Sequence, residues 1–100
     1  MLMSNSVHVV VKIVARPDTV EEIRSIVLVL ARESRKEAGC VLYDVLHNIA
    51  EPESFILYEE WESVAHLDAH NRTPHFHEAV SKSVPLLAKP LEVGRYMTIG

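Results

Sequence analysis

"CVLYDVLHNIAEPESFILYEEW", residues 40–61, decides the fold. Two runs rich in valine, isoleucine, leucine and aromatics, Cys40 to Asn48 and Ser54 to Glu62, flank the polar stretch "IAEPES", where Pro52 cannot donate to a ladder. Strands joined by so short a turn pair as an antiparallel hairpin. Alternation in the second strand sends Phe55, Leu57, Glu59 and Trp61 to one face and Ile56, Tyr58 and Glu60 to the other, so a carboxylate and an indole share a side.

Upstream, "VHVVVKIVA", Val7 to Ala15, is dense in β-branched residues and reads as a strand. Its polar members His8 and Lys12 share one parity with Val10 and Val14, while Val9, Val11 and Ile13 hold the other, so both faces want cover. "RPDTVEE" then starts a helix expected over Thr19 to Ala38, with Asp18 as cap and Glu21 completing a capping box. Val20, Ile23, Val27 and Leu30 give it an apolar face. Ile26, Leu28 and Val29 widen that face beyond what one sheet covers, which points to a partner subunit. Gly39 ends the segment, because glycine accepts the left-handed conformation.

Downstream, Ser63 caps a short helix from Val64 to about His70, and Thr73 with Pro74 opens another reaching Ser83. "PLEVGRYMTI", Pro90 to Ile99, is a last strand. The order β-α-β-β-α-β fits a ferredoxin-like α+β fold, a four-stranded antiparallel sheet with helices on one face, since both strand-helix-strand crossings can be right-handed. The second sheet face would be covered by a second copy, so a symmetric homodimer is expected. Residues 1–6 are expected to form a flexible N-terminus and residues 7–100 a single domain.

One hundred residues bury roughly two-thirds of their unfolded surface, enough for one core. Fourteen acids against ten bases, with only Arg35 and Lys36 adjacent, leave no clustered positive charge for nucleic acid. The longest apolar run, "IVLVLA" from Ile26, is far shorter than the roughly 20 residues of a membrane span. "MLMSNS" lacks the basic start and apolar centre of a secretory signal, and the lone Cys40 fits a reducing compartment, so cytoplasmic residence is expected.

Chemistry concentrates in "EEWESVAHLDAHNRTPHFHE", residues 59–78, which holds four of the six histidines beside the only tryptophan. His66 and His70, four apart on one helical face, have the spacing of a two-histidine metal half-site, to which His75 and His77 could add. Nothing in the sequence fixes a third ligand, and no metal is expected. His66 and His77 read as surface residues. His70 and His75 flank the inter-helix turn, where they either lock it through a loop carbonyl or act as a base, since a neutral imidazole accepts a phenolic proton near neutral pH. Trp61 is either core or a face for an aromatic ligand. Glu59 orients a histidine or makes a buried hydrogen bond. Tyr43 is a candidate donor to an oxyanion or a strand tyrosine with its hydroxyl at the rim, Phe76 is wall or core, and Arg72 and Arg95 either meet an anionic substrate or are surface charges.

"EAGC" (Glu37 to Cys40), Tyr43, "EEWESVAHLDAH" (Glu59 to His70) and "TPHF" (Thr73 to Phe76) resemble the antibiotic-biosynthesis monooxygenase family, within it the bacterial quinol monooxygenases. The likeness covers nearly the whole chain from Val7 and implies a dimeric α+β barrel of ferredoxin-like subunits. It also implies oxidation of a small electron-rich aromatic, a quinol or anthrone, by molecular oxygen without flavin, metal or other cofactor. His70, His75 and Tyr43 would be the catalytic residues, and Trp61, Glu59 and Phe76 would hold the substrate. Family members that degrade haem rely on a first-strand asparagine, which "VHVVVKIV" lacks. An isomerase of a phosphorylated hydroxy-ketone is resembled through Tyr58-Glu59 and "H-x-x-T-P-H", His70 to His75. A non-enzymatic ligand-binding dimer is the third reading.

Overall fold

The computed structural model describes residues 5–100. Residues 1–4, most of the expected flexible N-terminus, lie outside the described residues. Among the described residues the order is β1 (Val7–Val14), α1 (Val20–Ser34), β2 (Cys40–His47), β3 (Ser54–Trp61), α2 (Val64–His70), α3 (Pro74–Ser83), a 3-10 turn (Val84–Leu86) and β4 (Glu92–Tyr96). The strands form one sheet in the order β2-β3-β1-β4, every neighbouring pair antiparallel. This is the ferredoxin-like α+β arrangement read from the hairpin outward. No helix among the described residues is long and apolar enough to cross a membrane.

Alternation places the core where the sequence puts it. Phe55, Leu57, Glu59 and Trp61 are buried beneath the helices, with Val7, Val9, Ile13 and Ala15 from β1 and its bridge residue. Ile23, Val27, Leu30 and Ala31 close over them from α1. A bulge at Cys40/Leu42 matters for the site: Cys40 opposes Trp61 and Tyr43 opposes Glu59, so the extra residue switches parity and sends Tyr43 to the helix side. The outer face carries Val10, Val14, Leu42, Ile56 and Tyr58, all partly exposed, and Leu46, which is half exposed.

β1, β2 and β3 each end one residue before the sequence reading, and α1 and β4 differ from it more. The expected capping box does not form: Thr19, not Asp18, holds the N-cap position, and its hydroxyl donates to the carbonyls of Arg16 at 3.2 Å and Leu86 at 2.7 Å. Asp18 is exposed and pairs with Arg16 at 3.5 Å. The helix also stops at Ser34 instead of Ala38, because the chain tightens through i to i+3 bonds, Lys36 N–H to Glu33 and Glu37 N–H to Ser34. Arg35 braces this turn by donating twice to the Tyr43 carbonyl, at 3.0 and 2.7 Å. Gly39 sits at φ +83°, and a β-carbon there would run into the His66 ring, so both backbone and space require glycine. β4 is five residues, Glu92–Tyr96, shorter at both ends than the expected Pro90 to Ile99; at its start Pro90 cannot donate to the ladder. Of the residues that widen α1, Ile26 is partly buried, whereas Leu28 and Val29 are about half exposed.

Candidate active site

Four elements converge on one end of the sheet. β2 brings Tyr43, β3 brings Glu59 and Trp61, α2 ends on His70, and α3 begins with His75 and Phe76. The two short helices start as the sequence predicts. Ser63 accepts from the His66 amide and Thr73 from the Phe76 amide, each at 3.2 Å. Thr73 also donates its hydroxyl to the His70 carbonyl at 2.8 Å, so the turn is locked by threonine and not by a histidine ring.

That leaves both rings available, and each meets the same carboxylate. Glu37 Oε2 lies 2.7 Å from His70 Nδ1 and 2.7 Å from His75 Nε2. A neutral His70 that donates from Nδ1 presents a lone pair at Nε2, which faces Glu59 Oε1 at 4.0 Å. Glu59 Oε1 in turn accepts from the Trp61 indole N–H at 2.9 Å. The rings of Trp61 and His70 pack with centroids 4.5 Å apart, and Phe76 meets His70 edge-on at 5.2 Å.

Burial sets the protonation of this chain. Glu59 is 3% exposed, and desolvation pushes its carboxyl up to about 7, against the opposing pull of hydrogen bonds from Trp61 and Tyr43. Desolvation likewise lowers the His70 imidazole, opposed by its bond to Glu37. Burial raises the Tyr43 phenol well above its ordinary value, aided by the Glu59 charge, so Tyr43 is a donor and not a phenolate. Near pH 7 the site therefore holds a carboxyl poised to exchange a proton beside an imidazole that stays neutral.

A cavity of about 150 Å³ opens between the sheet and the helices. Tyr43, Glu59 and Phe76 line it, with Asn71, Ser83 and Arg95 as its other polar residues and aliphatic side chains elsewhere. Glu59 is the one acid in that lining among the described residues. Trp61, His70 and His75 are not part of it. The indole and His70 are 0% and 1% exposed and stand behind Glu59, while the His75 side chain is 25% exposed on the outer side of Glu37. The structure thus brings the six sequence candidates together but places only three of them, Tyr43, Glu59 and Phe76, in the lining of this cavity.

Sequence reasoning gave Glu37 no role of its own: it lay within the expected helix and opened the "EAGC" of the family resemblance, and it is instead the hub joining two histidines 33 and 38 positions away. Of the two arginines read as substrate contacts or surface charges, Arg95 lines the cavity and pairs with Asp68 at 3.7 Å. His66 does not join His70 in a half-site: its Nδ1 bonds the Ser63 hydroxyl at 2.8 Å and its ring covers Gly39. Among the described residues the group able to hold a metal ion is Glu37, His70 and His75, whose ligand atoms lie within 4.8 Å of one another.

A family model described as antibiotic biosynthesis monooxygenase matches residues 6–82. The Synechocystis protein sll1783 is 42% identical over 81 residues, which is 81% of this chain and 55% of that protein, so the match spans little more than half of the longer relative. YcnE of Bacillus subtilis is 36% identical over 80 residues, covering 80% of this chain and 84% of YcnE. A solved structure of a conserved protein from Methanosarcina mazei superposes with a TM-score of 0.91 at 31% identity, over 96% of this chain and 95% of that one.

Proposed function

Since the chain belongs to the antibiotic biosynthesis monooxygenase family, we propose that it oxidises a small quinol with molecular oxygen, with Glu59 as the proton acceptor and no cofactor on the ring. The observation that carries this reading is the cavity: a largely apolar space of about 150 Å³ with a single carboxyl in its lining among the described residues. Such a volume accepts a benzene-sized guest, which favours a one-ring hydroquinone over a three-ring anthrone. A phosphorylated hydroxy-ketone would call for several cations, and Arg95 is the one cation in that lining among the described residues.

The chemistry asks little of the protein. Glu59 removes a phenolic proton, and the hydroquinone anion passes an electron to oxygen; the two radicals join through a new ring C–O bond. Glu59 returns the proton to the peroxide. Cleavage of the O–O bond, with loss of the ring hydrogen as a proton, then releases water and leaves a hydroxyquinone. The sum is hydroquinone plus oxygen to hydroxyquinone plus water. Tyr43 donates to the substrate oxyanion, Phe76 walls the ring, and His70, anchored by the Glu37 carboxylate that His75 also holds, supports Glu59 from behind. Trp61 holds the carboxyl in place. Aliphatic walls keep the anion from water.

Purified protein is expected to consume one oxygen per hydroquinone in chelator-treated buffer, with one atom of labelled oxygen entering the hydroxyquinone. Tight binding of quinol without oxygen uptake would leave a ligand-binding protein in place of an enzyme. The working form we propose is a cytoplasmic homodimer closed across the outer sheet face, where Val10, Val14, Leu42, Leu46 and Ile56 stand uncovered in one chain. Sedimentation equilibrium should give twice the 11.3 kDa chain mass. A monomer at all concentrations would contradict that assembly.

A further inference from the structure

We propose that Glu37, His70 and His75 form a binding site for one divalent transition ion of the zinc, cobalt or nickel class. The three come from separate places, the turn after α1, the end of α2 and the first turn of α3, yet their ligand atoms gather within 4.8 Å of one another. One carboxylate oxygen stands 2.7 Å from a nitrogen of each ring. Without metal, both rings must spend an N–H on that single oxygen. An ion takes the place of those two hydrogens. Metal–ligand lengths of about 2.0–2.2 Å put neighbouring ligands in a tetrahedral shell roughly 3.4 Å apart, so Glu37 must open from each ring by under about 1 Å and the two ring nitrogens must close by up to about 1.4 Å. His75, a quarter exposed and at the start of its helix, has the freedom to make that shift.

Two further features fit the same ligand. Binding at His70 Nδ1 leaves the proton on Nε2, facing Glu59 Oε1 at 4.0 Å, and Glu59 is itself held by Trp61. The pair is not hydrogen-bonded at that distance, but an approach of about 1 Å would give the carboxylate behind a ligating histidine that fixes its tautomer and orientation. Two imidazoles and one carboxylate suit zinc, cobalt or nickel, and not magnesium or calcium, which want an all-oxygen shell. Glu37 at 15% and His75 at 25% side-chain exposure open the cluster to solvent, giving an entry path and room for water as fourth ligand. None of the three residues lines the cavity, so the ion would not touch a molecule held there.

The test measures binding alone and stands apart from oxygen consumption. Chelator-treated full-length protein is titrated with zinc by calorimetry and with cobalt by visible absorption. One ion per chain is expected, with micromolar or tighter affinity, four- or five-coordinate cobalt bands, and no response to magnesium. His75→Ala and Glu37→Gln should each weaken binding at least about tenfold, whereas His66→Ala and His77→Ala leave it unchanged. Should His75→Ala fail to fold, judged by circular dichroism, His75→Gln takes its place. Absence of zinc and cobalt binding would show a hydrogen-bonded cluster only. Binding insensitive to Glu37 and His75, or equally sensitive to His66, would also overturn the site.

Discussion

Glu59→Gln is expected to lower quinol turnover by about a hundred- to ten-thousandfold, the usual contribution of a positioned base, while making the fold more stable above pH 7. The two effects share one cause. In the folded chain the Glu59 carboxyl is pushed up from 4.5 to about 7, chiefly by burial, with the Glu37 charge adding to the shift and bonds from Trp61 and Tyr43 opposing it. Between those values the folded state holds a proton that the unfolded state has lost. Stability therefore declines as pH rises from about 4.5 to 7 and stays level above, by at most about 3 kcal/mol. Glutamine keeps the shape and removes the titration. The buried His70 acts in the opposite sense: its folded value lies below that of the free ring, so its contribution is lost as pH falls below 6.5. Urea midpoints at pH 5.5 and 8.5, with chelator present, check this. The variant should gain on the parent at 8.5 and much less at 5.5, and an equal gap at both would mean Glu59 is ionised throughout.

The parts of this site that were legible in the sequence are those set by local periodicity. Alternation along β3 placed Glu59 beside Trp61 on the inner face, and the threonine-proline start of α3 set Phe76 at its first turn, both as observed. What the sequence did not show depends on convergence. Glu37 meets His70 and His75 only because α1 ends one turn early and the chain folds back through Gly39. Nothing in a periodic pattern reports where a turn residue points. Tyr43 reaches the cavity through the β2 bulge, and a bulge has no composition of its own when the residues around it are ordinary strand formers. The choice between indole as platform and indole as core was equally closed to the sequence, because residues on one strand face share a direction but not a depth.

Trp61 provides the sharper test of that last point. Its side chain is fully buried, packed on His70 and meeting Tyr43 edge-on at 6.5 Å, and is not part of the cavity lining. Trp61→Ala should remove about 3–5 kcal/mol, a large share of the roughly 5–15 kcal/mol that holds a domain of this size. The melting temperature should fall by upwards of about 12 °C. Trp61→Phe separates packing from hydrogen bonding. It keeps most of the ring volume but deprives Glu59 Oε1 of the indole N–H at 2.9 Å, at a cost of roughly 1–3 kcal/mol. That bond draws the Glu59 carboxyl downward, so losing it should move the rising limb of the pH–rate profile to higher pH, with the quinol KM unchanged. A tryptophan that stacks on the substrate would behave in reverse: phenylalanine would alter KM and leave the pH profile where it was. The direction of those two readouts decides whether the indole braces the base or touches the ring.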